Sequence, residues 1–196
     1  MTRPMRADAR RNYERLISTA RAAFLEHGTD ASLDDIAKRA GVGSGTLYRH
    51  FPTRDDLLHA VLEDWIEGLL GQARDLVESD SPADALATWL RTYLAGVSTQ
   101  KGTSTVLIGV MSSPWGATSL GGSSAAICEA TERLLTRAQA TGRVRPDVDA
   151  RDVVRIANAV GIAAERTAAP AENASRMLSV FLDGLRHAPG PDDPPL

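Results

Sequence analysis

Two short amphipathic segments joined by a glycine bend, with a capped long helix directly after them, constrain this chain more than anything else in it. Ser32-Leu33-Asp34-Asp35 opens the first segment. A serine with an acid three residues on is a capping-box-like start, here with Asp35 in the place of the usual glutamate or glutamine. Ile36 and Ala37 turn inward and Gly41 ends the segment. Gly41 can take the positive φ that a tight turn needs, and Val42 plugs the angle between the two helices. The second segment, Gly43 to Phe51, keeps Leu47, Phe51 and part of Tyr48 for the interior and turns Ser44, Gly45, Thr46, Arg49 and His50 outward. Pro52-Thr53 breaks it, and Thr53-Arg54-Asp55-Asp56 starts a helix predicted over Arg54–Val77 by the same cap logic.

The remainder also follows helical spacing, and no segment alternates as a strand would. A first helix is predicted over Ala7–His27, with Tyr13, Leu16, Ile17, Ala20 and Phe24 on one face and Gly28 as its stop. Leu86, Trp89, Leu90, Tyr93, Leu94 and Val97 mark a helix after Ser81-Pro82, and Thr103–Met111 another. The glycine- and serine-rich stretch from Ser112 through Gly122 is predicted as a loop, followed by a helix from Ala125 to Thr141 that stops at Gly142. Asp149 caps a helix to Arg166, Pro170 lies in a short connection, and a last helix runs from Glu172 to His187. The expected fold is all-α: a three-helix N-terminal domain over residues 1–55, a helical domain over 56–188 and a disordered tail over 189–196. Gly102 to Cys128 carries no charge, but Pro114 and its glycines divide it, so a membrane span is not expected.

Charge distribution narrows the function classes. The net charge of −3 argues against a nucleic-acid binder, yet residues 1–55 hold ten Arg/Lys against seven Asp/Glu while the rest hold twelve against eighteen. A basic end on an acidic body suggests that one end meets phosphate. The single cysteine, Cys128, rules out an intrachain disulfide framework and fits a reducing cytoplasm, where it reads as a small buried apolar residue. Met1 to Arg15 is rich in arginine and lacks the apolar core of a secretory signal.

The small and polar outer face of the second short helix suits a helix whose N-terminal residues enter the major groove. At these residues the chain resembles the TetR/AcrR family. Phe24, Gly28, Ser32-Leu33-Asp34-Asp35-Ile36-Ala37, Ala40-Gly41-Val42, Gly45-Thr46-Leu47-Tyr48-Arg49-His50-Phe51 and Arg54-Asp55-Asp56-Leu57-Leu58 carry the likeness. The close match covers about the first quarter of the chain; beyond it the likeness is one of helical layout. The resemblance implies a transcriptional repressor that binds a palindromic operator on double-stranded DNA as a dimer and is released by a small molecule. It implies DNA contacts from Thr46, Tyr48 and Arg49, with Tyr48 and His50 on phosphate or sugar. Ser44 and Gly45 lie on the same face. Ser32 would offer a backbone amide to a phosphate, Thr53 and Arg54 would lie near the backbone, and Arg6, Arg10 and Arg11 would reach an adjacent phosphate or the minor groove. Tyr48 also suits core packing, and the two roles coexist because the ring can pack while the hydroxyl faces out. Arg10 and Arg11 equally suit a solvated helix face. Where the family often has serine followed by lysine or arginine, this chain has Gly43 and Ser44, so its recognition helix is less basic.

The larger domain is expected to bind a largely apolar effector, with Trp65, Trp89, Tyr93, Leu107, Met111 and Trp115 as pocket wall or as plain core. The penultimate helix has Val153, Ala157, Val160 and Ala164 on one face, with Val154 and Ile156 elsewhere. A helix apolar on two sides needs two partners, and the resemblance implies that the last two long helices form a homodimer interface. His50 and His59 lack the convergent ligands a zinc site needs, so no metal and no cofactor are expected. A helical enzyme is the first rival, but no nucleophile–base pair appears, and Gly41-Val42-Gly43-Ser44-Gly45 lacks the lysine of a phosphate loop. A non-sensing architectural DNA binder is the second, and it would need a basic body.

Overall fold

In a computed structural model, residues 3–28, 30–99 and 119–186 are described, and all their regular structure is helical. The predicted helix over Thr103–Met111, most of the following loop and the tail over 189–196 lie outside the described residues. Among the described residues eight helices follow in order: α1 (Arg3–His27), α2 (Leu33–Arg39), α3 (Ser44–His50), α4 (Arg54–Val77), α5 (Pro82–Thr99), α6 (Ser119–Ala140), α7 (Ala150–Glu165) and α8 (Pro170–Arg186).

Local chemistry sets most of the boundaries. Gly28, Gly41 and Gly142 adopt φ of 75°, 68° and 70° after α1, α2 and α6, a region that costs glycine nothing. Ser32 caps α2 by accepting the Asp35 amide, but the Asp35 carboxylate makes no return bond, so the cap is only half a box. At α4 the box is complete: the Asp56 amide donates to Thr53 Oγ1 (3.2 Å) and the Thr53 amide donates to Asp56 Oδ2 (3.0 Å). Asp149 caps α7 through the Asp152 amide at 2.8 Å.

Three predicted boundaries are corrected. α1 begins at Arg3 rather than Ala7, with Pro4 in its first turn, where a missing amide hydrogen costs no helical bond. Gly121 and Gly122 belong to α6, not to a loop: Ile127, Ala130, Leu134 and Leu135 anchor that helix in the core, and its first turn extends through residues of poor propensity. Pro170 is the first residue of α8 rather than part of a connection, a position for which its fixed φ suits it.

Among the described residues the buried side chains fall into two cores. The N-terminal one joins Leu16, Ala20 and Phe24 of α1, Ile36 of α2, Leu47 of α3 and α4 residues from Leu57 to Ile66. The second begins on α4 at Leu69 and takes in α5, α6, α7 and α8. Trp65 and Leu70 pack against both, so α4 is a single rod shared by two cores. At 1.5 Å per residue its 24 residues span roughly 35 Å.

Candidate nucleic-acid interface

The helix pair is held by its buried edge and leaves its other edge open. On α2, Leu33, Ile36 and Ala37 are buried; on α3, only Leu47 is. Phe51, immediately after α3, is 3% exposed and closes the corner. Its ring lies 5.3 Å from that of Tyr13 on α1, and the His50 ring meets Tyr13 edge-on at 5.9 Å. With Leu47 and Phe51 fixed, Ser44, Gly45, Tyr48 and Arg49 project outward and Thr46 is half-exposed. Tyr48 is 44% exposed, so its ring covers the helix surface rather than filling the core. Arg49 donates to Thr46 Oγ1 at 3.3 Å, which places the two side chains together on the open face.

The α3 cap is Gly43, in an extended conformation and without a side chain to bond the first amides. Gly41 and Gly43 have open space where a Cβ would stand. Positive φ therefore demands glycine at 41, whereas nothing local demands it at 43.

The other sequence-predicted residues separate by what already holds them. Ser32 is exposed at the start of α2, with its hydroxyl engaged in the cap. Thr53 is exposed, with its hydroxyl committed to Asp56 at 2.7 Å. Arg54 is half-buried and donates to the Ala31 carbonyl at 2.7 Å, tying α4 to the segment before α2. Arg10 pairs with Glu14 at 2.8 Å and Arg11 with Asp8, both in the open. Arg39, at the end of α2, grips Glu26 of α1 through both carboxylate oxygens (2.9 and 3.3 Å). That hydrogen bonding and charge hold the Glu26 carboxyl below its ordinary range and the guanidinium above its own.

In the larger core, Trp65 stacks on Tyr93 with centroids 6.1 Å apart. Trp89 is fully buried and donates through Nε1 to Thr131 Oγ1 (3.0 Å), while Tyr93 donates its hydroxyl to Asn158 Oδ1 (2.7 Å). Burial pushes the Tyr93 phenol far up, against a smaller opposing effect of that hydrogen bond. Leu107, Met111 and Trp115 lie outside the described residues. Thr131 and Asn158 were not foreseen; a polar residue at a helical core position is the only sequence signal they leave.

Comparison with known proteins decides the family. Residues 16–61 match the N-terminal domain of the bacterial regulatory proteins of the tetR family, and residues 81–187 match the C-terminal domain of SbtR-like transcriptional regulators. The chain belongs to the TetR/AcrR family of transcriptional regulators. It is 34% identical to the TetR transcriptional regulator SCO0520 of Streptomyces coelicolor over 88% of this chain and 97% of that one, with a TM-score of 0.58. The fold is shared with the regulator FadR of Bacillus subtilis, solved with stearoyl-CoA (17% identity, 88% and 98% coverage, TM-score 0.59). An HTH-type transcriptional regulator of Staphylococcus aureus USA300 is 43% identical over 60 residues, 30% of this chain. That match spans about a third of the relative's length (32%). As a TetR/AcrR regulator the chain is a DNA-binding transcription factor, not an enzyme, and α2–α3 is its helix-turn-helix.

Proposed function

We propose that this TetR/AcrR regulator is a repressor that grips a palindromic operator as a homodimer and releases it when a small molecule binds the helical body. The observation that carries the reading is α4. One unbroken helix starts beside the recognition helix, fills the N-terminal core through Ile66, and supplies Leu69 and Ala73 to the other core. A change in packing around α5 to α8 therefore moves the helix-turn-helix as a rigid attachment. A two-fold dimer must hold its recognition helices about 34–36 Å apart to reach successive major grooves. An effector that binds better to a different α4 position removes that spacing.

In this reading residues 1–55, with the α4 turns packed on them, bind DNA, and residues 56–188 sense and dimerise. Ser44, Gly45, Thr46, Tyr48 and Arg49 face the groove; Ser32, His50, Thr53 and Arg54 border the phosphates, Arg54 chiefly by bracing α4. The dimer face is the open side of α7 and α8. Ile156 is 41% and Val180 70% exposed, with Val160, Met177 and Phe181 half-exposed around them. The FadR structure with stearoyl-CoA supports the fold's capacity to take an effector.

The test is a titration of the purified full chain against promoter fragments from its own genomic neighbourhood, at fixed low salt and without ligand. Binding to one fragment well above the background for random DNA is expected. Indifference to every fragment would remove the proposal.

A further inference from the structure

A groove of about 590 Å³ runs between the outer face of α5 and the first half of α8. Leu94 and Ala95 form one wall, Ala174 and Leu178 the other, and Arg91 and Ser175 supply its polar groups. It is a different place from the Trp89–Tyr93 core, since Arg91 and Ala95 are exposed on the far side of α5. It faces away from Val180, the most exposed residue of the proposed dimer face. Ala171, which lines it, precedes Val180 by nine residues, about two and a half turns, and so points to the opposite side of α8.

Charge separates this groove from its neighbours. The groove between α1 and α4 presents Glu14, Glu63 and Asp64 beside Arg21, and the one between α6 and α7 presents Glu129, Glu132 and Asp149 beside Arg151, so in both the carboxylates outnumber the cation. Among the described residues the α5–α8 groove is lined by no carboxylate. Among the described residues Arg91 has no hydrogen bond and no ion pair. A guanidinium at the lip of an apolar trough, on a domain with an excess of acids, pairs by charge with one acidic group whose remainder is apolar.

We propose that this groove binds a monocarboxylate with an apolar body, its carboxylate on Arg91 and its body between Leu94, Ala95, Ala174 and Leu178. The proposal deepens the reading of the helical body as an effector domain and names the effector's chemistry. Arg91 is the specificity determinant: the apolar walls take any slender hydrocarbon, and the guanidinium selects the ionised one.

The test is calorimetric titration of the full-length protein, without DNA, using decanoate and 1-decanol below their aggregation limits. Decanoate is expected to bind at one site per chain and at least about tenfold more tightly than decanol. Arg91→Gln is expected to remove that preference, leaving decanoate no tighter than decanol, and Arg91→Lys to keep part of it. Ala95→Trp, on an exposed position, is expected to abolish binding of both; matched thermal melts show that each variant folds. Absence of decanoate binding to the parent protein, equal binding of decanol, or full binding by Arg91→Gln or Ala95→Trp overturns the proposal. Because no DNA is present, such a failure leaves operator recognition standing, whereas failure of the promoter titration leaves the groove standing.

Discussion

The indole of Trp65 occupies the space that a side chain on Gly96 would need. A Cβ built at position 96 falls 1.9 Å from Trp65 Nε1 and 2.4 Å from Cε2. The same indole stacks on Tyr93, one turn earlier on α5, and packs against both cores. Gly96 is thus the notch through which α4 and α5 approach each other, at the level where one core gives way to the other.

Gly96→Ala is expected to destabilise the protein although alanine is the better helix former. The propensity gain is about 1 kcal/mol. The clash forces a ring held between two cores to move, and overpacking of this kind costs typically 1–3 kcal/mol. In urea the midpoint falls with an unchanged slope. The partner variant Trp65→Ala removes the clashing ring, so the double variant is expected to be at least as stable as Trp65→Ala alone. If Gly96→Ala raised the midpoint, the notch would have no structural role.

Tyr93 gives a prediction in pH. Burial raises its phenol pKa in the folded state, while the unfolded chain ionises near the ordinary value of 10.0. The raised folded value means that this contribution to stability is intact below about pH 10 and is lost as pH climbs above it. Burial raises the half-buried Cys128 thiol in the same direction, beginning near its ordinary value of 9.0. Tyr93→Phe is expected to cost about 1–3 kcal/mol at neutral pH, because Asn158 Oδ1 loses its phenolic donor. It also flattens the alkaline decline above pH 10. Unfolding midpoints from pH 7 to 11 read both effects, and parallel alkaline declines in the two proteins would contradict the assignment.

The N-terminal third was legible because each of its elements carries its own punctuation. Gly28, Ser32, Gly41 and Thr53 mark ends by local chemistry that needs no tertiary partner, and α4 runs over the residues expected of it. Position 170 misled because proline signals both a break and a first helical residue, and only the packing of Ala174 and Leu178 beyond it decides which. Helical spacing puts Val154 off the inward face of α7, yet it is buried beside Val153, because α7 is covered by α5, α6 and α8 and has a wide apolar arc. The Trp89–Thr131 and Tyr93–Asn158 bonds join residues 42 and 65 positions apart, a distance over which helical periodicity says nothing. The α5–α8 groove was hidden for the same reason: Arg91 looks like any solvated arginine until α8 is laid beside it.

Tyr48→Ala and Arg49→Ala are expected to weaken operator binding with little change in folding. Both side chains are exposed on α3, and surface truncations of this kind alter stability within about 0.5 kcal/mol. Loss of a phosphate contact by Arg49 lowers the dependence of binding on log salt by about one unit; loss of a base contact costs about 1–3 kcal/mol and relaxes preference at one operator position. Titrations at several salt concentrations against the parent operator and single-base variants distinguish the two. Wild-type DNA affinity in both variants would take α3 out of the interface.

The dimer face can be tested with a charge. Val180 is the most exposed large apolar side chain among those described, at 70%, and Ile156 on α7 is 41% exposed. Isolated apolar residues on a surface are ordinary, but here two facing helices each present one, with Val160, Met177 and Phe181 half-covered beside them. A two-fold contact puts each Val180 against the same surface of the partner, so Val180→Glu introduces two like charges into one desolvated patch. The parent protein is expected to scatter light as a dimer at micromolar concentration and Val180→Glu as a monomer, with unchanged helical circular dichroism because the position is open in the single chain. Operator affinity then falls steeply, since one recognition helix at a time reads only a half-site. A parent protein of monomeric mass, or a Val180→Glu variant of dimeric mass, would remove α7 and α8 from the interface and the fixed spacing from the mechanism.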